Sequence, residues 1–223
     1  MWIIAFIIFA FLIFAPSLWV RYTLKRYAFH RKDFPGTGGE FAQHLANRFE
    51  LNIKVEQTTE GKDHYDMRAN SVRLSPSYFY GQSLTAITVA AHEVGHAIQY
   101  GKKEKITNLR LRYLPLAHFF RKAGSIVLFG WPVITALLQL PYAVPLHVLA
   151  VGLTGIAGVL IHIVILPEEM DASFRKALPI LVEGDYIHKE DIPAVKRILK
   201  ACAYTYIASA LVNIIFVWRW LKR

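Results

Sequence analysis

Four apolar runs constrain this sequence of 223 residues more than any other feature. A helix needs about 20 consecutive apolar residues to cross the hydrocarbon core of a bilayer, and each run approaches or reaches that length. No Lys, Arg, Asp or Glu interrupts any of the four. The predicted membrane spans are residues 2–20, 123–140, 144–166 and 201–218. The fold class that this pattern predicts is mainly α, a polytopic membrane protein with about four transmembrane helices.

The distribution of basic residues predicts how these spans are oriented. The chain carries 26 Lys and Arg against 16 Asp and Glu, a formal net charge of +10. Nearly all the basic residues near the span ends fall in 21–122 and 167–200, which four spans would place on one side of the membrane. The positive-inside rule assigns that side to the cytoplasm. No basic patch is interleaved with aromatic residues, so we expect no nucleic-acid partner.

Composition excludes two further classes of protein. Hydrophobic residues make up 54% of the chain, far too many for an intrinsically disordered protein. Cys202 is the only cysteine, so the chain cannot be a scaffold held by internal disulfides.

Between the spans, the sequence predicts a small α+β part. Ser83 is a typical N-cap residue, and Gly101 is typical of the position after a helix ends. Residues 71–75 alternate like a strand. Two alternatives stay open for residues 72–75, an edge strand that pairs with an extended substrate and an ordinary internal strand. The predicted elements are a loop over 35–39, a helix over 40–50, a strand over 53–56, a turn over 61–66, a strand over 71–75 and a helix over 84–100. We expect residues 1–223 to form a single membrane-bound domain.

The predicted helix over 84–100 contains the motif that carries chemistry, His92-Glu93-Val94-Gly95-His96. Residues four apart lie on one face of a helix, so both imidazoles can reach the same metal ion. Two neutral histidine nitrogens suit tetrahedral Zn²⁺. Glu93, beside that metal, is placed to act as a general base and then as a general acid.

A catalytic zinc ion needs a third protein ligand and an open fourth position. Cys202 lies within a predicted span and is a poor candidate. Glu168, Glu169 and Asp171 directly follow the third span, on the same side of the membrane as the zinc motif. Pro167 predicts the start of a new helical segment there, and acids in a first turn are also favoured by the helix dipole alone. The spacing does not choose among the three.

Several stretches together resemble a known family, the YugP-like neutral zinc metallopeptidases of bacterial membranes. The resemblance runs from about residue 38 to residue 211. The matching stretches are Asp63-His64-Tyr65-Asp66, Val72-Arg73-Leu74-Ser75, 90–99 around the zinc motif, Leu166-Pro167, Glu169, Asp171-Ala172-Ser173, Leu199-Lys200-Ala201 and Thr205-Tyr206.

The resemblance implies that Glu169 is the third zinc ligand, as in gluzincins. It extends to the wider group of HtpX-like and CAAX prenyl membrane proteases, in which two spans also separate the zinc motif from the ligand glutamate. A zincin-like catalytic part at the cytoplasmic face of the cell membrane is implied as well. The sequence departs from the family at Glu168, where a small apolar residue is expected, and at His162, where a polar amide is expected.

The sequence therefore predicts a zinc-dependent, membrane-bound endopeptidase. Its cofactor is Zn²⁺, held by His92, His96 and Glu169, and its base is Glu93. Its partners are the lipid bilayer and protein or peptide substrates that lie in or near the membrane. Candidates for supporting roles are Asp171, which could orient a ligand histidine, and His64 and Tyr206, which could stabilise the transition state.

Two alternatives belong to other classes. In an intramembrane protease of the site-two type, the helix over 84–100 would itself cross the bilayer, although its polar residues argue against this. In a non-catalytic zinc-binding membrane scaffold, Glu93 would have no purpose, and structural zinc sites usually use cysteines and close all four positions.

Overall fold

A computed structural model of the chain describes residues 2–138 and 143–215. The described chain is mainly helical, as the sequence predicts, and has one small three-stranded sheet. The helices are α1 (Trp2–Arg26), α2 (Gly38–Arg48), α3 (Pro76–Phe79), α4 (Leu84–Gly101), α5 (Thr107–Leu138), α6 (Ala143–Asp171), α7 (Leu178–Glu183) and α8 (Ile192–Ile215). The strands are β1 (Lys54–Gln57), β2 (His64–Asp66) and β3 (Ser71–Leu74), and a π-helical turn (Ala172–Ala177) and a 3-10 turn (Lys189–Asp191) complete the elements.

The chain divides into two compact units. One, here called the apolar unit, comprises the described parts of residues 2–17, 109–166 and 205–215. The other, here called the sheet unit, comprises residues 18–108 and 167–204.

The apolar unit presents large hydrophobic side chains outward. Leu153 is 59% exposed and Ile126 is 62% exposed. Exposure of such side chains is unfavourable in water but not in lipid. Among the residues described, one helical segment is long and apolar enough to cross a membrane, Pro145–Glu183, with a mean hydropathy of 2.5 over its best window. The other three predicted spans fall largely within α1, α5 and α8, and their crossing of a bilayer stays a prediction.

Parts of the predicted spans lie outside the described residues. These parts are 139–140 of the second span and 216–218 of the fourth, and residues 141–142 between the second and third spans also lie outside.

The core of the sheet unit is built around α4, where every residue from Leu84 to Gln99 is buried. The helix begins as predicted, because the Ser83 hydroxyl accepts a hydrogen bond from the backbone N–H of Ala86 at 3.2 Å. Its end differs by one residue, since Gly101 is still helical and Lys102 is the C-cap. Helix α2, strands β2 and β3 and the π turn all pack against α4. This helix is therefore enclosed by protein.

The sheet decides one open alternative and corrects one prediction. Its strand order is β1-β3-β2, so β3 is an internal strand and not an edge strand. β3 pairs in parallel with β1 and antiparallel with β2, and the pairing places Val55 and Tyr65 on either side of Val72. The predicted turn over 61–66 ends in strand β2, because pairing with β3 overrides the low β propensity of its histidine and aspartate.

Two further predictions of local structure were wrong. Helix α2 begins at Gly38, within the predicted loop, because Thr37 and Glu40 form a reciprocal capping box. Pro167 lies inside α6 and does not start a new helix. Because the helix runs through Pro167, Glu168 and Glu169 are not acids of a first helical turn, and the helix dipole does not explain them.

Candidate metal centre

Helix α4 and the end of α6 bring three buried ligand groups together. His92, His96 and Glu169 offer ligand atoms that all lie within 4.8 Å of one another. Oε2 of Glu169 is 3.4 Å from Nε2 of His92 and 3.3 Å from Nε2 of His96. Zinc–ligand bonds of about 2.0–2.1 Å in a tetrahedron place neighbouring ligand atoms about 3.3–3.4 Å apart. The two distances to Glu169 therefore match those between ligands of one zinc ion.

The orientation of His92 is fixed by a hydroxyl. Oγ of Ser173 donates a hydrogen bond to the backbone carbonyl of Leu199 at 3.1 Å and lies 3.0 Å from Nδ1 of His92. A hydroxyl has one hydrogen, so Ser173 accepts its second bond from the Nδ1–H of His92. In the neutral imidazole, a proton on Nδ1 leaves the lone pair of His92 on Nε2, the atom that faces Glu169.

The orientation of His96 is fixed by an amide. Nε2 of Gln99 donates to the backbone carbonyl of Glu168 at 3.1 Å and to Oδ2 of Asp171 at 2.8 Å. Its Oε1 then accepts from Nδ1 of His96 at 2.9 Å. The amide nitrogen can only donate, so this network also places the lone pair of His96 on Nε2.

These networks turn Nε2 of each neutral imidazole towards the carboxylate of Glu169. Partners that hold the second nitrogen of each imidazole are typical of protein zinc sites, where they fix the tautomer and the ring orientation. The arrangement therefore suits a metal cation.

The structure separates Glu169 from its neighbour Glu168. Both side chains are almost completely buried, but Oε1 of Glu168 accepts a hydrogen bond from the Tyr100 hydroxyl at 3.3 Å. Glu169 alone of the two belongs to the metal cluster.

A close contact between helices positions Glu169. A Cβ atom at Gly95 would lie 2.8 Å from the carbonyl oxygen of Ala172, the first residue of the π turn. The absence of a side chain at Gly95 lets the chain just beyond Glu169 approach the centre of α4. π-helical turns occur mostly as single turns and often at functional sites.

Comparison with known proteins decides the family. Residues 2–223 match the family described as "putative neutral zinc metallopeptidase". The chain belongs to this metallopeptidase family. It is 30% identical over 205 residues to the "putative membrane protease YugP" of Bacillus subtilis (strain 168), an alignment that covers 89% of this chain and 87% of the relative. No solved structure matches the chain significantly.

Membership of a zinc peptidase family and the geometry of the three ligands agree on the cofactor. His92, His96 and Glu169 are positioned to bind a metal ion, and zinc is the metal of this metallopeptidase family. The predicted resemblance to the YugP-like family is confirmed.

The remaining predicted site residues fall in different places. Glu93 lies on α4 between the two histidines and is 7% exposed. Asp171 touches Gln99, which in turn holds His96, so it contacts the ligand histidine only indirectly. His64 lies on β2, where its Nδ1 contacts the backbone carbonyl of Lys62 at 2.7 Å.

Tyr206 belongs to the apolar unit. Its ring stacks on His162, with ring centres 5.9 Å apart, and the guanidinium of Arg110 lies 5.3 Å from the centre of the ring. His162, where the sequence departs from the family pattern, therefore makes a ring contact with Tyr206. The role of Tyr206 in the reaction stays a prediction.

Sequence reasoning missed the two residues that orient the histidines, Gln99 and Ser173. A signal for Gln99 was present, because a residue three positions after His96 lies on the same helix face. Ser173 had no comparable signal, since its contact with His92 depends on how the π turn packs against α4.

Proposed function

We propose that this metallopeptidase is a membrane-bound endopeptidase in which His92, His96 and Glu169 hold zinc and Glu93 is the general base. The observation that carries the proposal is the direction of the two Nε2 atoms, both held towards Glu169 by hydrogen bonds on the opposite nitrogens. A structural zinc site closes all four positions, whereas three protein ligands leave one position for a reactant.

Bound zinc would polarise the scissile carbonyl and acidify the attacking water. Glu93 accepts the proton of that water and then delivers it to the nitrogen of the leaving amine. Its burial removes competing water from the carboxylate, which strengthens its interactions with the reacting groups. The proposed donor to the developing oxyanion within the sheet unit is His64.

The proposal includes four membrane spans, with the metal centre on the cytoplasmic side. The apolar exposed surface of α6 supports at least one crossing. The excess of basic residues in 21–122 and 167–200 supports the cytoplasmic orientation. Glu169 follows the predicted end of the third span, at residue 166, by one helical turn. The expected substrates are therefore membrane proteins or the segments that such proteins expose at the cytoplasmic surface.

Replacement of Glu93 tests the proposed chemistry. The Glu93→Gln variant keeps the shape of the side chain but cannot accept a proton, and general acid–base catalysis contributes about 10²–10⁴-fold to rates. We expect Glu93→Gln to bind zinc like the wild type and to cleave unfolded protein substrates in detergent at least about 100-fold more slowly.

The exposed Glu183→Gln variant, at the end of α7, is the matched control and should cleave normally. Normal cleavage by Glu93→Gln would contradict the proposed role of Glu93. A wild-type protein that holds zinc but cleaves nothing would favour the scaffold.

Cysteine labelling from the two sides of the membrane tests the intramembrane alternative. The burial of α4 by protein favours a helix outside the bilayer. In a Cys202→Ser background, Tyr80→Cys and Lys103→Cys flank α4 at exposed positions. Labelling of both from the cytoplasmic side supports the proposal, and labelling from opposite sides would support the site-two type.

A further inference from the structure

A small cavity lies in the sheet unit, away from the metal ligands. Its volume is about 170 Å³, below the roughly 300 Å³ at which pockets for drug-sized molecules begin. It is lined by Trp19, Tyr22, Thr23, Arg26, Tyr27 and Arg197. Two arginines, three aromatic rings and a hydroxyl therefore share one cavity, a combination that suits a small anionic group next to apolar matter.

The two arginines donate hydrogen bonds to tyrosine hydroxyls. Nη1 of Arg26 donates to the Tyr22 hydroxyl at 3.3 Å, and Nη1 of Arg197 donates to the Tyr27 hydroxyl at 3.4 Å. Within the part of the chain that the structure describes, neither arginine forms an ion pair, whereas Arg31 pairs with two aspartates. Guanidinium groups with donors to spare are the preferred partners of phosphate in proteins.

Hydrogen bonds from α4 hold the backbone next to the cavity. The N–H of Thr85 donates to the carbonyl of Tyr27 at 3.2 Å, and its hydroxyl donates to the carbonyl of Leu24 at 2.9 Å. These bonds tie the last turn of α1, and the residue that follows it, to the first turn of α4. Thr23, which lines the cavity, is only 5% exposed. The floor of the cavity at Thr23 is therefore buried, whereas Trp19, Tyr22, Arg26 and Arg197 line it at exposed positions.

The position of the cavity along the chain points to a membrane surface. Trp19 and Tyr22 lie on either side of Val20, where the first predicted span ends. Arg197 precedes the fourth predicted span, which begins at residue 201. Trp and Tyr are enriched where helices leave the hydrocarbon core, and basic residues at the cytoplasmic face attract anionic lipids.

We propose that this cavity binds the phosphate of an anionic phospholipid headgroup, with Arg26 and Arg197 as its ligands and Trp19 and Tyr22 against the glycerol and upper acyl chain. The site lies between the proposed cytoplasmic ends of two spans and would hold these ends together through one lipid. The inference rests on the membrane placement in the proposed function, but not on the peptidase chemistry.

Native mass spectrometry of the full chain in detergent, titrated with defined lipids, tests the proposal. The wild type should retain phosphatidylglycerol more tightly than phosphatidylcholine. The double variant Arg26→Gln/Arg197→Gln should bind phosphatidylglycerol about 30-fold more weakly, from the loss of two basic residues at the membrane surface. The control Lys54→Gln/Arg68→Gln removes the same charge from exposed positions on the sheet unit and should bind like the wild type.

Equal retention of the two lipids, or undiminished phosphatidylglycerol binding by the double variant, would overturn the proposal. Competition by inorganic phosphate at the same concentration as phosphatidylglycerol would also overturn it, because it would indicate a site for free phosphate. Zinc content and cleavage of a soluble peptide should be unchanged in the double variant, which shows that it folds. Extraction of the wild type from membranes by alkaline carbonate would instead contradict the membrane placement itself.

Discussion

The carbonyl oxygen of Ala172 lies 2.8 Å from the position that a Cβ atom at Gly95 would occupy. Gly95 stands between Glu93 and His96 in the zinc motif, and Ala172 stands three residues after Glu169. This contact therefore packs the helix that carries two ligands against the π turn that follows the third, beside the hydrogen bonds of Gln99 to Glu168 and Asp171.

The Gly95→Ala substitution should damage both the fold and the metal centre. The added methyl group meets a backbone atom, which cannot rotate away, and overpacking of this kind costs about 1–3 kcal/mol. We expect a lower thermal midpoint and weaker zinc binding in a chelator competition, because α4 and the π turn must separate. Gly101→Ala is the control, since the nearest atom to its Cβ is 3.9 Å away. A Gly95→Ala variant with unchanged zinc affinity would show that the contact does not position Glu169.

The Gln99→Leu substitution should weaken zinc binding without removing a ligand. It takes away the acceptor for the Nδ1–H of His96 and both donors to the carbonyl of Glu168 and to Asp171. Loss of such supporting bonds typically lowers metal affinity about 10–100-fold. Gln43→Leu, on the exposed face of α2, should bind zinc normally. Equal affinities for the two variants would mean that the amide network does not orient His96.

Stability should fall in acid through a salt bridge at the surface of the sheet unit. The hydrogen bond from Arg31 lowers the pKa of Asp33 to about 2, and Arg31 also binds Asp191 at 2.7 Å. A carboxyl whose pKa is lower in the folded state stabilises the fold above its ordinary pKa of about 3.9. That contribution is lost as the pH falls towards 2.

The Asp33→Asn variant should therefore unfold at a lower temperature than the wild type at pH 6, and the gap should close as the pH approaches 2. Thermal scans of metal-free protein in the presence of a chelator separate this effect from zinc loss. Asp185→Asn, at an exposed position, should show no gap that changes with pH. A gap for Asp33→Asn that stays constant down to pH 2 would exclude the ion pair as its cause.

The sequence predicted those parts of the site that depend on a single helix. The four-residue spacing of His92 and His96 and the Ser83 cap are local features, and the structure has them as expected. The third ligand is 73 residues from His96, and its position depends on the contact of Gly95 with the π turn. Spacing alone therefore left Glu168, Glu169 and Asp171 equivalent, and only the family resemblance favoured Glu169.

The errors in the fold have one physical origin, the dominance of tertiary contacts over local signals. Strand β2 has no apolar alternation of its own and forms through its pairing with β3. Pro167 has the sequence appearance of a helix start, but α6 continues through it into the π turn. A proline in a helix interior removes one backbone hydrogen bond, which neighbouring helices and side chains can compensate.

The metal content of purified protein tests the central claim most directly. Wild type, His96→Ala, Glu169→Ala and Glu168→Ala should be purified in detergent, reloaded with zinc and dialysed before elemental analysis. We predict about one zinc per chain in the wild type and in Glu168→Ala, as a three-ligand site requires. The metal should be lost in His96→Ala and Glu169→Ala. Loss of zinc in Glu168→Ala with retention in Glu169→Ala, or no zinc in any preparation, would contradict the metal centre described here.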